Sequence, residues 1–184
     1  PRRKRQAFAG LEELRKNVDS IIVVSNDRLL EVIGNRPMNE AFREADNILR
    51  QSVQTITDLI AIPAMINLDF ADVSSVMKDR GDALIGIGMA EGENKAQEAA
   101  KRAVSSPLLD VSINGAKDAI VNITGGPSMS LFEASEAFAT ITEAIGNDVN
   151  AIMGVASNDQ LDDQIIVTII ATGFEEDQPE EEVV

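Results

Sequence analysis

The sequence contains no cysteine and no histidine, and these absences exclude several kinds of site. There can be no disulfide framework, no Cys/His zinc site and no histidine-dependent catalytic triad. Basic residues are also scarce, with 16 lysines and arginines against 31 aspartates and glutamates, so the net charge is −15. Nucleic-acid and anionic membrane surfaces need clustered basic residues, so we expect neither partner beyond one local basic run at residues 2–5.

Long apolar runs are missing as well. No stretch reaches the 18 or so apolar residues typical of a membrane-spanning helix, and no secretory signal is visible. The default expectation is therefore a cytoplasmic protein. A chain of 184 residues with 44% hydrophobic residues is long enough for one domain with a sizeable core, or one domain plus an appendage.

The longest helical pattern runs from about residue 37 to residue 60. Pro37 suits its first turn and Pro63 stops it, because proline lacks the N–H that a helix interior needs. At 1.5 Å per residue such a helix is roughly 36 Å long, so it can carry a different site at each end. Its apolar residues recur at three- and four-residue steps, at Ala41, Phe42, Ala45, Ile48, Leu49, Val53, Ile56, Leu59 and Ile60.

Just past this helix come two carboxylates, Asp69 and Asp72, with an amide at Asn67. The conservative interpretation is an N-cap and a first-turn acid for a helix at 73–78, favoured by the helix dipole. The functional interpretation is that the acids polarise a water molecule for attack on a phosphate. Spacing alone favours the conservative interpretation.

The segment after this loop is typical of an α+β unit with a four-stranded mixed sheet. Its helical crossovers should be right-handed. The last two strands are expected to pair with each other across a polar loop at 157–160. The predicted strands are 82–89, 116–124, 150–156 and 164–171, and the predicted helices are 93–104 and 130–145.

Three glycines near the end of the first of these strands, Gly86, Gly88 and Gly92, do not have the spacing of a dinucleotide fingerprint. We interpret them as sites of close packing in a buried strand.

The ends of the chain differ from its middle. Residues 2–16 read as a helix, and 18–24 as a strand of the kind that is covered on both faces in a parallel sheet. Because no neighbouring strand precedes it, we assign 1–36 to the sheet of another domain, 37–62 to a connector helix and 63–174 to the α+β domain. The acidic residues 175–184 are expected to form a disordered linker.

Five stretches together resemble FtsZ, the bacterial tubulin homologue that polymerises at the division site. They are Asn-Leu-Asp-Phe-Ala-Asp-Val at 67–73, the run at 42–51, Ser-Ser-Pro-Leu-Leu at 105–109, Asn-Ile-Thr-Gly-Gly at 122–126, and Ile-Ala-Thr-Gly-Phe at 170–174. The resemblance covers residues 2–174. It implies the carboxy-terminal domain of the tubulin/FtsZ fold, preceded by the connector helix and a remnant of the GTPase domain. The family's glycine-rich phosphate loop has no counterpart here.

The resemblance also implies roles for single residues. The aromatic matching Phe42 stacks on guanine, and the carboxylate matching Asp46 accepts the N–H donors of the base. Asn26 matches an asparagine that hydrogen-bonds the nucleoside, and Arg3 an arginine on the phosphate and sugar side. Considered without the family, Phe42 would simply be core, Asp46 a solvated acid and Asn26 a turn residue.

The resemblance implies that Asn67, Asp69 and Asp72 complete the GTPase site of the next subunit in a head-to-tail filament. One chain cannot easily bring them to its own nucleotide, because the connector helix separates the two sets of residues. GTP or GDP and Mg²⁺ would be held mostly by the missing half, so we expect no metal site in this chain.

The expected function is thus that of a cytoskeletal GTPase of cell division, located in the cytoplasm at the division site. Its partners would be further copies of itself and cell-division regulators, and the fragment alone should be inactive. The alternative is a non-enzymatic polymerisation or regulator-binding module that caps filaments. The chain departs from the family at Ser52, Thr55 and Ala64, where glycine is common. We expect the first two replacements to stiffen the connector helix and narrow the groove beside it.

Overall fold

The computed structural model describes residues 2–24, 31, 34, 37–61, 64–106, 108–109, 112–146 and 148–174. The helices within these ranges are α1 (Arg2–Arg15), α2 (Met38–Ala61), α3 (Phe70–Met77), α4 (Lys95–Val104) and α5 (Leu131–Ile145), with a short 3-10 turn at Asp159–Leu161. The strands are β1 (Ser20–Ile22), β2 (Gly81–Ala90), β3 (Asp118–Gly125), β4 (Asn150–Ser157) and β5 (Ile165–Thr172). The predicted residue 26 and segment 175–184 lie outside the described residues.

The strands form one mixed sheet in the order β1-β2-β5-β3-β4. β1 pairs with β2 and β3 with β4 in parallel, whereas β5 is antiparallel to both of its neighbours. The predicted α+β class is therefore confirmed. The predicted number of four strands is one too few, because Ser20 pairs with Gly81 and brings the short strand β1 onto this sheet.

The expected pairing of the last two strands is wrong. β5 lies in the centre of the sheet between β2 and β3, and β4 pairs with β3 instead. The physical reason is burial: every residue of β5 except Ile166 is buried, whereas β4 buries only Gly154 and Val155. A strand that is apolar on both faces is most stable where it has neighbours on both sides.

Each face of the sheet has its own core. On one face α4 and α5 cover residues such as Val121, Val167 and Ile169. On the other face the end of α2 and the short α3 cover Ile85, Ile120 and Ile170, chiefly through buried leucine and valine side chains. These are Leu59 of α2 and Val73 and Val76 of α3, together with Leu68 of the loop between the two helices.

Glycine allows α4 to approach the sheet closely. A Cβ atom at Gly86 or Gly88 would clash with the backbone carbonyl oxygen of Ala103 or Ala99 in α4. The helix presents alanines to this surface, and all of them are buried. The interpretation of these two glycines as close-packing residues is confirmed, whereas Gly92 lies in open space with a positive φ of 82°.

Candidate active site

The loop at 64–69 is attached to the outer edge of β4. Val155 exchanges backbone hydrogen bonds with Ile66, and its carbonyl also accepts the N–H of Met65 at 2.9 Å. Leu68 is buried beside Leu59 against Gly154, where the absence of a side chain leaves room for both leucines. The loop is therefore held by the backbone of the sheet and by an apolar anchor.

Asp69 and Asp72 form a reciprocal capping box at the start of α3. The Asp69 Oδ1 atom accepts the N–H of Asp72 at 2.9 Å, and the Asp72 Oδ2 atom accepts the N–H of Asp69 at 3.0 Å. This geometry satisfies two backbone donors that a helix start otherwise leaves without partners. The conservative interpretation of the pair is confirmed, but the helix begins at Phe70, three residues earlier than predicted.

Capping does not use up these carboxylates. Asp69 is exposed and Asp72 is half-buried, and each carboxylate has a second oxygen with its own lone pairs. The capping bonds orient both groups rigidly at the surface. The same pair can thus begin the helix and present negative oxygen atoms to a neighbouring molecule.

Asn67 shapes the loop from its other side. Its Oδ1 atom accepts the N–H of Ala64 at 2.6 Å, and the residue is exposed. Two large apolar side chains beside the acids are also exposed, Met65 at 58% and Phe70 at 71%. Polar and apolar groups at one exposed loop are typical of a surface that meets another protein.

The residues expected to bind the base lie on α2. Phe42 is 66% exposed and Asp46 is also exposed, and their spacing of four places both on one face of the helix. The interpretation of Phe42 as a core residue is therefore wrong for this chain. Arg3 lies on α1, but only its backbone is described, and Asn26 lies outside the described residues.

The structure separates these two sets. From Phe42 to the end of α2 at Ala61 the helix rises by roughly 28 Å at 1.5 Å per residue, and the acid pair follows beyond it. Among the stripe residues whose side chains the structure describes, Ile56 and Leu59 pack on the sheet. Leu49 and Val53 are more than half exposed.

Two clefts lie beside α2, and the sequence predicted a groove on this side of the helix but not a second cleft. One, of about 400 Å³, lies between Asp58, Ile66 and the end of β4. The other, of about 200 Å³, is lined by Thr55 and by Ile87 and Thr168 of the sheet. Thr55 therefore borders the groove that the family comparison led us to expect.

Lys95 is a buried residue that the sequence analysis did not identify. It links α4 to Glu133 of α5 and to Asp163 in the loop before β5. The Lys95 ammonium lies 2.6 Å from an Asp163 carboxylate oxygen and 3.4 Å from one of Glu133, and its side chain is only 7% exposed. The hydrogen bond to Asp163 raises the pKa of Lys95 against the opposing effect of burial. The same hydrogen bond, with one from the Gly92 N–H, lowers the pKa of Asp163.

Glu133 is subject to opposing effects. Burial alone would raise the pKa of its carboxyl group, but hydrogen bonds from the Ser130 N–H and hydroxyl and the nearby Lys95 charge lower it overall. No local sequence signal could have identified this cluster, since its members are far apart in the chain.

Within the described residues no group of three or more acidic side chains is arranged to hold a metal ion. None of the helices in the described part of the chain is long and apolar enough to cross a membrane.

The fold and the loop geometry define a carboxy-terminal domain of the tubulin/FtsZ type. Residues 81–175 match the FtsZ family, C-terminal domain. The solved structure of an empty FtsZ dimer from M. jannaschii is similar over 91% of the chain, with 38% identity and a TM-score of 0.86. The chain belongs to the FtsZ family.

More distant structures share the fold alone. A GTPγS-bound protofilament of CetZ2 from Haloferax volcanii matches 90% of the chain at 19% identity, with a TM-score of 0.65. A GTPγS-form protofilament of TubZ from Bacillus thuringiensis serovar israelensis matches 90% at 14% identity, also with a TM-score of 0.65. The chain spans about half the length of these proteins, namely 49% of the M. jannaschii FtsZ chain, 49% of CetZ2 and 46% of TubZ.

Proposed function

We propose that this chain is the filament-forming half of a cell-division GTPase, and that its acid loop acts on a nucleotide bound to the next subunit. Asp69 and Asp72 would polarise the attacking water, and Asn67 would donate a hydrogen bond to it or to the phosphate. Phe42 and Asp46, with Arg3 and Asn26, would bind the base, sugar and phosphate of GTP or GDP. Mg²⁺ would come with the nucleotide and offset the charge of the approaching carboxylates.

The observation that carries this proposal is the separation of two exposed sets of residues by the length of α2. An exposed aromatic and acid at one end and an oriented acid pair at the other cannot meet within one chain. They meet when identical chains stack head to tail, since repetition of a heterologous contact gives an open filament. The dimer and protofilaments found among similar structures support this arrangement.

We further propose that the protein acts in the cytoplasm at the division site, with cell-division regulators as partners and without direct membrane or nucleic-acid contact. The excess of acidic residues supports the last point. The chain alone should not hydrolyse GTP, because it has no glycine-rich phosphate loop.

The decisive experiment mixes this chain with an FtsZ amino-terminal half that carries the phosphate loop, and measures GTP turnover and nucleotide affinity. Asp69→Asn and Asp72→Asn remove a charge but keep an oxygen that can accept the capping hydrogen bond. We expect turnover to fall by about 100-fold or more, as for a lost acid–base group, with affinity unchanged.

Ser130→Ala is the matched control. It removes the capping hydroxyl from the second capping box of the chain, at the start of α5, and should cost about 1 kcal/mol of stability while leaving turnover intact. Turnover that survives both acid substitutions, or affinity that falls with them, would refute the assigned role.

The rival function is a non-enzymatic module that caps filaments through the acid loop. The two cores, which cover both faces of the sheet with residues of this chain, favour an independently folded unit. This rival function predicts no GTP turnover when the chain is mixed with the FtsZ amino-terminal half. It also predicts that filaments become shorter as the chain is added.

A further inference from the structure

Hydroxyl groups from two strands hold the carboxy-terminal end of α3. The Thr172 hydroxyl of β5 donates to the Val76 carbonyl at 2.7 Å, and the Ser20 hydroxyl of β1 donates to the Met77 carbonyl. Both carbonyls are among the last four of the helix, which have no partner within it. Because Thr172 and Val76 are fully buried, water does not compete for their bond. The helix that begins with the acid pair is thus bonded to the sheet at its other end.

Thr172 lies where three strands are joined by a buried polar network. It pairs with Asp118 of β3. The buried Asp118 carboxylate accepts a hydrogen bond from the Asn150 side chain of β4 at 2.9 Å and forms an ion pair with Arg80, just before β2, at 2.9 Å. The bond from Thr172 therefore fixes the end of α3 relative to the sheet.

Apolar burial does not by itself fix how α3 is rotated about its axis. Val73 and Val76 pack against the sheet, but hydrophobic burial is non-directional. Hydrogen bonds are directional, and successive carbonyls are spaced by about 100° around a helix axis. Two bonds to the successive carbonyls of Val76 and Met77 therefore fix the rotation of the helix as well as its position.

This rotation determines where the acid pair points. Side chains extend roughly 5 Å from a helix axis, so turning α3 by about 20° would move the Asp72 carboxylate by roughly 2 Å. A misplacement of about 1 Å at a reacting centre can cost about 100-fold in rate. The bonds at the end of the helix are therefore strong enough in their consequence to matter at its start.

We propose that Thr172 and Ser20 are positioning residues, which act through α3 to set the direction of Asp69 and Asp72. Thr172 contributes more, because its bond is fully buried, whereas Ser20 is half-buried. The expected effect on turnover rests on the function proposed above. The effect on the loop that carries Asp69 and Asp72 does not.

Thr172→Val removes the hydroxyl and keeps a branched side chain of similar shape. In the mixture with the FtsZ amino-terminal half, turnover at saturating GTP should fall by about 10-fold to 100-fold. Nucleotide affinity should stay unchanged, since Phe42 and Asp46 lie on α2. Thr172→Ser keeps the hydroxyl and should keep most of the turnover, and Ser20→Ala should give a smaller loss than Thr172→Val.

Thr140→Val is the matched control. The Thr140 hydroxyl also donates to a helix carbonyl, that of Glu136 at 2.9 Å, but in α5 on the other face of the sheet. This variant should leave turnover unchanged. A role of Thr172 in stability alone predicts that the loss of turnover disappears well below the melting temperature of the variant, whereas a positioning role predicts that it persists.

Hydrogen exchange of the chain alone gives a second measurement that does not need turnover. The backbone N–H groups of Asp69 and Asp72 are held by the capping box. In Thr172→Val both should exchange about tenfold faster, the factor expected for one lost buried hydrogen bond. In Thr140→Val their exchange should not change.

Two results would overturn this inference. One is full turnover of Thr172→Val in a mixture in which Asp69→Asn abolishes it. The other is exchange of the Asp69 and Asp72 amides that is no faster in Thr172→Val than in Thr140→Val. If the acid substitutions leave turnover unchanged, or if the mixture has none, the proposed function fails instead, and the exchange rates alone decide whether Thr172 positions the acid pair.

Discussion

Gly88 illustrates how a single residue can decide a helix position. Its missing side chain lets the Ala99 carbonyl of α4 lie against β2. Gly88→Ala should destabilise the protein by about 1–3 kcal/mol, because the added methyl group forces backbone atoms apart. Denaturant titration measures this directly.

Gly10 provides the matched control. It lies in α1 with nothing within 4 Å of an added Cβ atom, so Gly10→Ala should stabilise α1 by about 1 kcal/mol through helix propensity. If both substitutions changed the free energy of unfolding in the same direction, close packing would not be the reason for glycine in β2.

Lys95 gives a prediction on pH. Asp163 and Glu133 have folded-state pKa values below their ordinary values of 3.8 and 4.5, so their contribution is present above those values and is lost as the pH falls through the folded ones. The raised pKa of Lys95 means that its contribution is full below 10.5 and is lost only above that. The loss of stability at acidic pH therefore reports on the contacts of Lys95 with Asp163 and Glu133.

We expect Lys95→Met to reduce the loss of thermal stability between about pH 5 and pH 2, since this variant removes the main group that lowers the pKa of Asp163 and a smaller contribution at Glu133, which keeps its Ser130 hydrogen bonds. Lys101→Met changes an exposed lysine of the same helix and should leave the wild-type profile unchanged. Identical profiles for Lys95→Met and the wild type would show that the cluster does not couple stability to pH.

At the scale of the element, the length and the position of α2 both matter. It separates the two exposed sets of residues, and its second half closes the groove against the sheet. Ser52 is buried and Thr55 half-buried on this side of the helix, where the family commonly has glycine. Both residues lose less backbone entropy than glycine on helix formation.

Thr55→Gly should therefore lower the stability of the protein by a few tenths of a kcal/mol, the propensity difference between the two residues. It should also widen the groove of about 200 Å³ that Thr55 lines. Melting temperature and the affinity of groove-binding FtsZ inhibitors measure the two effects separately.

Thr57→Gly is the control for this pair of effects. Thr57 is an exposed residue of the same helix whose hydroxyl donates to the Val53 carbonyl. The Thr57→Gly substitution should lower the stability of the protein by a similar amount and leave the inhibitor affinity unchanged. Equal affinities of both variants and the wild type would mean that Thr55 does not limit the groove.

At the scale of the whole molecule, a site shared between chains makes activity depend on assembly. In the reconstituted protein, GTP turnover per subunit should rise with protein concentration and reach a plateau once filaments form. Light scattering recorded beside phosphate release checks this. Constant turnover per subunit below the concentration at which filaments form would contradict a shared site.

Much of the fold follows from local signals. The helix of residues 131–145 begins one residue after its Ser130 cap, and the predicted bounds of α1 and α2 agree with the structure to within one or two residues. These elements have strong caps, prolines or apolar periods, which act over a few residues. The start of α3 was predicted three residues late, since the spacing of Asp69 and Asp72 did not show which of them was the cap.

The sequence singled out some residues of the candidate site and missed others. Asn67, Asp69 and Asp72 were singled out by their chemistry and by family resemblance. The structure adds how they are held, and their role stays a prediction. Phe42 could not be assigned from its period alone, because an apolar residue on a helix stripe is read as core whether or not anything in the chain covers it. Lys95 escaped notice because its two partners lie 38 and 68 positions away.

The sequence by itself determined the family, the α+β class, the long helix α2 and the position of the loop that carries Asp69 and Asp72, because each depends on residues close together in the chain. Only the tertiary structure decided that β5 occupies the centre of the sheet and that β1 joins its edge. It also decided that Phe42 is exposed and that Lys95 is buried between two carboxylates. These outcomes depend on competition among distant segments for neighbours and for burial, and local periodicity carries no information about which segment wins.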